Sequence, residues 1–283
     1  MGEVKGGRWN MYFITISEMF GTNGQKIAKG VSEVLKYSFY GEEELFKAAD
    51  EMGFLPDVKK LDERSPAFLE KLLSEKPKMY LDRLQSVIYE VAKKGDAVFF
   101  GRGSQLMLRS FNCAFHILVT GSMERRIKRV MEEKQVEKEV AETMINRSDH
   151  DKKGFLHFAF NEDWLNPQLY DLILNTDKLS LDSAVKMIVD AAKSDEIKAC
   201  GMDSVKLLGN LSLLRKVESS LIEAGVMSPH LFVTVENENS VRLYGVVNSS
   251  EEKRAIEKIV GGIKNIDKIT DELIVTRGLT AGM

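Results

Sequence analysis

Short apolar runs alternate with longer stretches of helical periodicity over the first two thirds of the chain. The first run, Tyr12–Ser17, is rich in β-branched residues and predicts a strand, and Gln25–Lys36 behind it has the period of an amphipathic helix. Three later runs are continuous, as in strands buried on both faces, and lie at residues 97–101, 114–120 and 170–176. Strands separated by helices predict an α/β domain with helices on both faces of a mostly parallel sheet.

In the last third of the chain the pattern of apolar and polar residues changes, which predicts a second domain. Residues 193–204 are polar and contain Gly201, which is typical of a linker. A helix, two alternating strands, a second helix and a closing strand are expected beyond it, at residues 207–224, 231–235, 241–247, 249–264 and 268–275. We therefore predict two separately folding domains, residues 10–195 and a small α+β module of order αββαβ at residues 205–283.

Composition narrows the classes of function. The 283 residues are 43% hydrophobic and 29% charged, yet the formal net charge is only −3. This balance argues against electrostatic binding of nucleic acid. No apolar run reaches eighteen residues, so no membrane span is predicted, and the first ten residues show no signal peptide. Cys113 and Cys200 are too few for a metal cage or a disulfide framework, so we expect a reduced, cytoplasmic protein.

The strand Tyr12–Ser17 is followed by a glycine-containing loop and the start of a helix. This order builds the turn that holds phosphate in nucleotide-binding α/β proteins, because loop amides and the helix N-terminus point at the anion. A standard phosphate loop continues with Lys and then Ser or Thr after its second glycine, and this loop has neither. We predict a rewritten phosphate loop made of the following residues: Gly21, Thr22, Asn23, Gly24, Gln25 and Lys26.

Five ordered groups of residues in the first domain share a family likeness. They lie within Ile14–Ala28, Phe100–Gly103, Glu124–Met131, Asp149–Lys152 and Asp163–Thr176. Together they resemble the cytidylate kinase-like family of the P-loop nucleoside monophosphate kinases. The resemblance implies a P-loop kinase-like fold, ATP and Mg²⁺ as cofactors, and a CMP-like nucleotide as phosphoryl acceptor. It also implies an acceptor site within residues 41–94 and a lid within residues 122–160.

Four basic residues are the predicted catalytic groups. Arg102 comes just after a predicted buried strand, where open α/β sheets bind ligands, and its guanidinium can hold phosphate with two hydrogen bonds. Arg126 and Arg129 share one helical face and, by the resemblance, act as lid arginines that neutralise the transferring phosphoryl group. Lys152 takes the place of a family arginine and supplies charge without the planar fork. A structural salt bridge for Arg102 and a solvated basic helix face are the alternatives.

Two departures from the family pattern support other functions. Glu18 is an acid where the family has arginine, and Asn23 adds a side chain where the family has glycine. Both changes predict weak nucleotide binding or a changed ligand. The alternatives are therefore a catalytically degenerate nucleotide-sensing or interaction protein, and an enzyme for another phosphorylated substrate. His150 and His157 have no second set of ligands, so no metal site is predicted there.

The last domain carries a second likeness, in Gly245–Val247, Ser249–Ala255 and the closing run Ile266–Val275. These segments make residues 205–276 similar to a BON domain. The similarity implies a non-catalytic module that binds a phospholipid, a small ligand or a protein partner.

Overall fold

A computed structural model of the chain describes residues 11–60, 76–197 and 199–276. Its first unit is built on five parallel strands in the order β2-β3-β1-β4-β5. The strands are β1 (Phe13–Glu18), β2 (Ser38–Tyr40), β3 (Ala97–Phe100), β4 (Ala114–Thr120) and β5 (Leu172–Asn175). β1 is therefore the central strand, and its carboxyl end lies between those of β3 and β4.

Helices cover both faces of this sheet. They are α1 (Gly24–Leu35), α2 (Glu42–Glu51), α3 (Leu55–Lys60), α4 (Pro77–Ala92), α5 (Ser104–Met107), α6 (Met123–Lys134), α7 (Lys138–Phe160) and α8 (Leu181–Ala192). Side chains alternate along β1, so Ile14 and Ile16 pack with α1 and α8 while Phe13 packs with α4. The predicted α/β architecture is confirmed. No helix among those described is long and apolar enough to cross a bilayer.

The C-terminal unit has a three-stranded mixed sheet of order β6-β7-β8. β6 (Leu231–Asn237) is antiparallel to β7 (Ser240–Val247), and β8 (Lys268–Val275) is parallel to β7. Two helices, α9 (Met202–Glu223) and α10 (Ser250–Gly261), share a core with this sheet. The predicted order αββαβ is confirmed, and its last strand can run parallel to β7 because α10 makes the crossover.

The long helix α9 packs against both units. One face contributes to the core of the C-terminal sheet, whereas Leu208 is fully buried in the core of the first unit. Across the same junction the hydroxyl of Ser212 donates to the carbonyl oxygen of Ser86 on α4 at 3.2 Å. Glu238 of the β6–β7 turn pairs with Lys93, the residue just after α4, at 3.1 Å. The two units therefore share a buried surface, and the separate folding of residues 10–195 and 205–283 stays a prediction.

Cys113 and Cys200 form a disulfide, which corrects the expectation of two reduced thiols. Residue 200 lies in the predicted linker, and its backbone N–H and C=O pair with those of Met11. This pairing brings Cys200 beside the start of β4, where its Cα lies 5.1 Å from that of Cys113, within the usual range for a disulfide. The contact joins residues 87 positions apart, so no local pattern in the sequence indicates it.

Leu208→Ala should lower the free energy of unfolding by about 2–4 kcal/mol, because it leaves a cavity where α9 packs on the first unit. Leu207 on the same helix is 44% exposed. Leu207→Ala is therefore a matched control and should cost under about 0.5 kcal/mol. Urea unfolding followed by circular dichroism measures both changes. Small and equal effects would show that α9 does not pack on α4 in solution.

Candidate functional site

A cavity of about 610 Å³ opens at the carboxyl ends of β1 and β3. Open parallel sheets bind ligands at this edge. Six basic and three acidic side chains line it: Lys26, Lys29, Arg102, Lys134, Arg147 and Lys152, with Glu18, Glu133 and Asp151. The excess of positive charge suits a polyphosphate or a phosphorylated small molecule.

The loop between β1 and α1 forms one wall of the cavity. Gly21 has a φ of +89° and Asn23 a φ of +63°, and this left-handed backbone turns the chain so that α1 begins at Gly24. A Cβ on residue 21 would lie 3.0 Å from the backbone oxygen of Arg126, so both conformation and space require glycine there. Successive amides in such a turn form a concave site for an anion.

The carboxylate of Glu18 is the anion that this turn holds. The Gly24 N–H donates to Glu18 Oε2 at 2.7 Å, and the Thr22 hydroxyl donates to the same oxygen at 3.5 Å. A Cβ on residue 24 would lie 2.6 Å from Glu18 Cβ, so glycine is needed for this approach. The free amides and the dipole at the start of a helix stabilise a negative charge. In nucleotide-binding loops, backbone N–H groups at the start of a helix bind phosphate. Here the Gly24 N–H binds the Glu18 carboxylate.

The six predicted loop residues do not all face the cavity. Four of them line it: Gly21, Asn23, Gln25 and Lys26. Gly24 lies against the Glu18 carboxylate, and Thr22 is buried below the loop surface. Lys26 Nζ pairs with Glu133 of α6 at 3.3 Å, and both side chains are about half exposed. Two residues of the loop are therefore paired with acidic side chains: Gly24 with Glu18, and Lys26 with Glu133.

Arg102 follows β3, lines the cavity and is only 6% exposed. Its guanidinium NH2 donates to Glu42 Oε2 on α2 at 2.8 Å, and its centre lies 5.4 Å from the ring centroid of Phe46. The Glu42 carboxylate therefore holds the orientation of a cationic side chain that lines the cavity. The pair also joins the end of β3 to α2, within the predicted acceptor region.

Arg126 and Arg129 lie behind the phosphate loop, apart from the cavity lining of the described chain. Arg126 is 2% exposed, and its Nε donates to the Phe20 carbonyl oxygen at 2.7 Å. Its NH2 group binds both carboxylate oxygens of Asp149 on α7, at 2.7 and 2.8 Å. Arg129 donates to the hydroxyl and the carbonyl oxygen of Thr176. These bonds join the loop to α7 and to the end of β5, and contact with a transferring phosphoryl group stays a prediction.

Lys152 reaches the phosphate loop from α7 and lines the cavity. Its Nζ donates to the backbone carbonyl oxygen of Glu18 at 2.7 Å and lies 5.7 Å from the ring centroid of Trp164. The ammonium group therefore stands between the loop and the predicted lid helix. Its charge lies close to the position where the loop would hold an anionic ligand.

Sequence reasoning missed other residues of the cavity. Lys29 lies one helical turn after Lys26, and Arg147 lies four positions before Asp151, with Nε 3.7 Å from the carboxylate. Helical spacing was the available signal for both. Gln105 also lines the cavity, and no local signal indicates it, because only the fold brings α5 to the sheet edge.

Comparisons with known proteins agree with the fold of both units. The model of the cytidylate kinase-like family matches residues 13–178, and that of the BON domain matches residues 212–277. A cytidylate kinase of Methanocaldococcus jannaschii is 27% identical over 183 residues, which cover 63% of this chain and 96% of that protein. An uncharacterized protein from Eubacterium ventriosum has a crystal structure that matches with a TM-score of 0.53 and 22% identity. That match covers 65% of this chain and 99% of the other, and it supports the fold.

Arg126→Ala should lower the free energy of unfolding by about 2–3 kcal/mol, because it leaves the Phe20 carbonyl and the Asp149 carboxylate without their buried partner. Arg125 is the preceding residue on α6 and is exposed. Arg125→Ala is therefore the matched control, with an expected change within about 0.5 kcal/mol. Guanidinium unfolding at one salt concentration measures both. A cost for Arg126→Ala no larger than that of the control would contradict its role in holding the loop.

Proposed function

The chain belongs to the cytidylate kinase-like family, and from this premise we propose that it transfers the γ-phosphoryl group of ATP to a nucleoside monophosphate. The similarity to the Methanocaldococcus cytidylate kinase favours a CMP-like acceptor. One observation carries the proposal. The turn after the central strand already holds a carboxylate on a backbone amide, beside a cavity with an excess of basic side chains. Anion binding at this place is what a P-loop kinase requires.

Phosphoryl transfer depends on position and charge more than on covalent catalysis. In the proposed reaction, amides of the loop Gly21–Lys26 hold the β-phosphate of ATP. An oxygen of the acceptor's phosphate attacks the γ-phosphorus while the bond to the ADP oxygen breaks, so a new phosphoanhydride forms and ADP leaves. Arg102 and Lys152 line the cavity from different elements. We assign to them the stabilisation of negative charge on the transferring group.

Mg²⁺ is part of this proposal only because membership of the family implies it. Such an ion is commonly held by one or two carboxylates together with substrate phosphates. Within the described residues, no group of three His, Cys, Asp or Glu side chains is placed to hold a metal ion. We therefore assign no protein ligand and no step to the metal.

The side chain of Glu18 must move before the phosphate loop can bind ATP through the Gly24 amide. Its carboxylate occupies the Gly24 N–H, so a phosphate reaches that amide only after the side chain turns away. Two anions in one turn also repel each other, by about 1 kcal/mol or more near a protein surface. We propose that ATP competes with Glu18 for the turn and that nucleotide binding is weak for this reason.

A second function, nucleotide sensing without catalysis, is favoured by the same contact. The Gly24 N–H is occupied by the Glu18 carboxylate. In addition, Lys26 lies where the family's metal-binding hydroxyl is expected, and its ammonium group is paired with Glu133. In this proposal the output passes through α9, which is buried against α4, to the BON-like module. That module would bind a phospholipid, a small ligand or a protein partner. The cytoplasm is the proposed location for both functions, although the disulfide of Cys113 and Cys200 removes the argument from reduced thiols.

A coupled assay of ADP release with CMP, UMP, AMP and GMP separates the two functions when it is combined with Mg-ATP calorimetry. The kinase proposal predicts turnover with at least one of these acceptors and the highest kcat/KM for CMP. ATP binding without turnover on any acceptor would leave the sensing function. Absence of both binding and turnover would contradict the two proposals together.

Glu18→Gln should tighten Mg-ATP binding about tenfold, because it removes the anion that competes for the Gly24 amide while keeping the side-chain shape. Glu133→Gln is the matched control, since it removes one negative charge from the same cavity but does not contact Gly24. The control should change the dissociation constant by about threefold at most. Calorimetric titrations at one salt concentration compare the three proteins. If the two substitutions change the dissociation constant equally, Glu18 acts only through its negative charge and not through its contact with Gly24.

A further inference from the structure

Arg83 on α4 joins helices from different parts of the molecule. Its guanidinium pairs with the carboxylate of Asp57 on α3 and, at 2.6 Å, with that of Glu223, the last residue of α9. The guanidinium carbon lies 5.1 Å from the ring centroid of Phe54, the residue just before α3. The Arg83 side chain is only 8% exposed, and a buried cation is costly without acidic partners. The packing of α3 on α4 therefore depends on Arg83 and on the acids that hold it.

The helix α3 lies within residues 41–94, the predicted acceptor region. Leu45 of α2 and Val58 of α3 are buried in the same core. At its start, α2 carries Glu42, whose carboxylate binds Arg102 at the cavity. The helix α2 therefore connects the cavity with the helix that Arg83 holds.

Glu223 brings the C-terminal unit into this arrangement. Leu213, Val217 and Leu221 of α9 are buried in the core of the C-terminal sheet, and Glu223 follows two residues after the last of them. The Glu223 side chain is 60% exposed, so its carboxylate reaches Arg83 without belonging to either core. Glu223 also lies outside residues 13–178, which the family model matches. The contact with Arg83 is therefore made by a part of the chain beyond the kinase-like region.

We propose that Glu223 is a positioning residue for the phosphoryl acceptor. Through Arg83 it holds α3 against α4, so that the C-terminal unit raises the affinity for the acceptor without contacting it. The inference rests on the proposed kinase function and describes a regulation of that site. A ligand or partner that shifts α9 would change the affinity for the acceptor, and by linkage the acceptor would change the affinity for that ligand equally. Binding of ATP at the start of α1 should not respond, because Arg83 and Glu223 lie apart from the cavity lining of the described chain.

Two substitutions of Glu223 test the inference. Glu223→Gln removes the charge and keeps the shape of the side chain, whereas Glu223→Lys places a second cation beside Arg83. The dissociation constant of CMP, measured by calorimetry, should rise about threefold in the first variant and about tenfold in the second. The dissociation constant of Mg-ATP should stay within about twofold in both.

Asp203 provides a matched control at the other end of α9. Its carboxylate pairs at 3.9 Å with Lys206 on the same helix and is fully exposed. Asp203→Asn therefore removes one negative charge from α9 without loosening α3, and it should change neither dissociation constant by more than about twofold.

Hydrogen exchange of single amides gives a second readout, which needs no nucleotide. The Val58 N–H donates to the Phe54 carbonyl oxygen at 3.0 Å, and Val58 is fully buried in the core beside α4. Glu223→Lys should speed the exchange of this amide about threefold or more, because α3 loses part of its support. The amide of Ile188 on α8, which is equally buried, should exchange at an unchanged rate. This comparison separates a local effect on α3 from a loss of global stability.

Unchanged exchange at Val58 in both Glu223 variants would overturn the inference, because α3 would not depend on Glu223. Faster exchange with unchanged CMP binding, or equal weakening of CMP and ATP binding, would also overturn it. If the unmodified protein binds no nucleoside monophosphate, the proposed function and this inference both fail. Binding of CMP that depends on Glu223, found without turnover, would support the inference and refute only the catalytic proposal.

Discussion

The hydrogen bond from the Gly24 N–H to the Glu18 carboxylate is the contact around which the cavity is organised. It closes the turn between the central strand and α1, and it requires that residue 24 have no side chain. Cations from the neighbouring helices hold the same turn, Lys152 through the Glu18 carbonyl and Arg126 through the Phe20 carbonyl. The turn is therefore satisfied by the protein's own charges before any nucleotide binds.

The proposed binding of ATP at this turn implies two states of one loop. In the first state Glu18 holds the amide, and in the second a phosphate replaces it. The apparent affinity for ATP is then the intrinsic affinity multiplied by the fraction of molecules in which Glu18 has turned away. A kinase-like cavity and weak nucleotide binding are compatible in this account, because the same amide serves both anions. The basic lining of the cavity supplies the attraction that can shift the balance toward phosphate.

The order of strands and helices could be predicted from the sequence because periodicity is a local property, as in β1 and α1. The place of Arg102 at the sheet edge followed from the same pattern. Side-chain directions did not follow, because they depend on contacts between distant segments. Arg126 turned out to face the loop carbonyl and Asp149, and Leu208 turned out to be buried in the first unit. The disulfide and the place of Gln105 in the cavity wall could not be predicted either, because each depends on segments that are distant in the sequence and meet only in the folded protein.

The amide resonance of Gly24 in ¹H–¹⁵N NMR spectra reports on the central contact directly. We expect Glu18→Gln to move this resonance before any nucleotide is added, because the charged acceptor is lost. Saturating Mg-ATP should move it in the unmodified protein as well, and to nearly the same final position in both proteins. A Gly24 resonance that responds neither to the substitution nor to ATP, in a protein that binds ATP by calorimetry, would contradict the account.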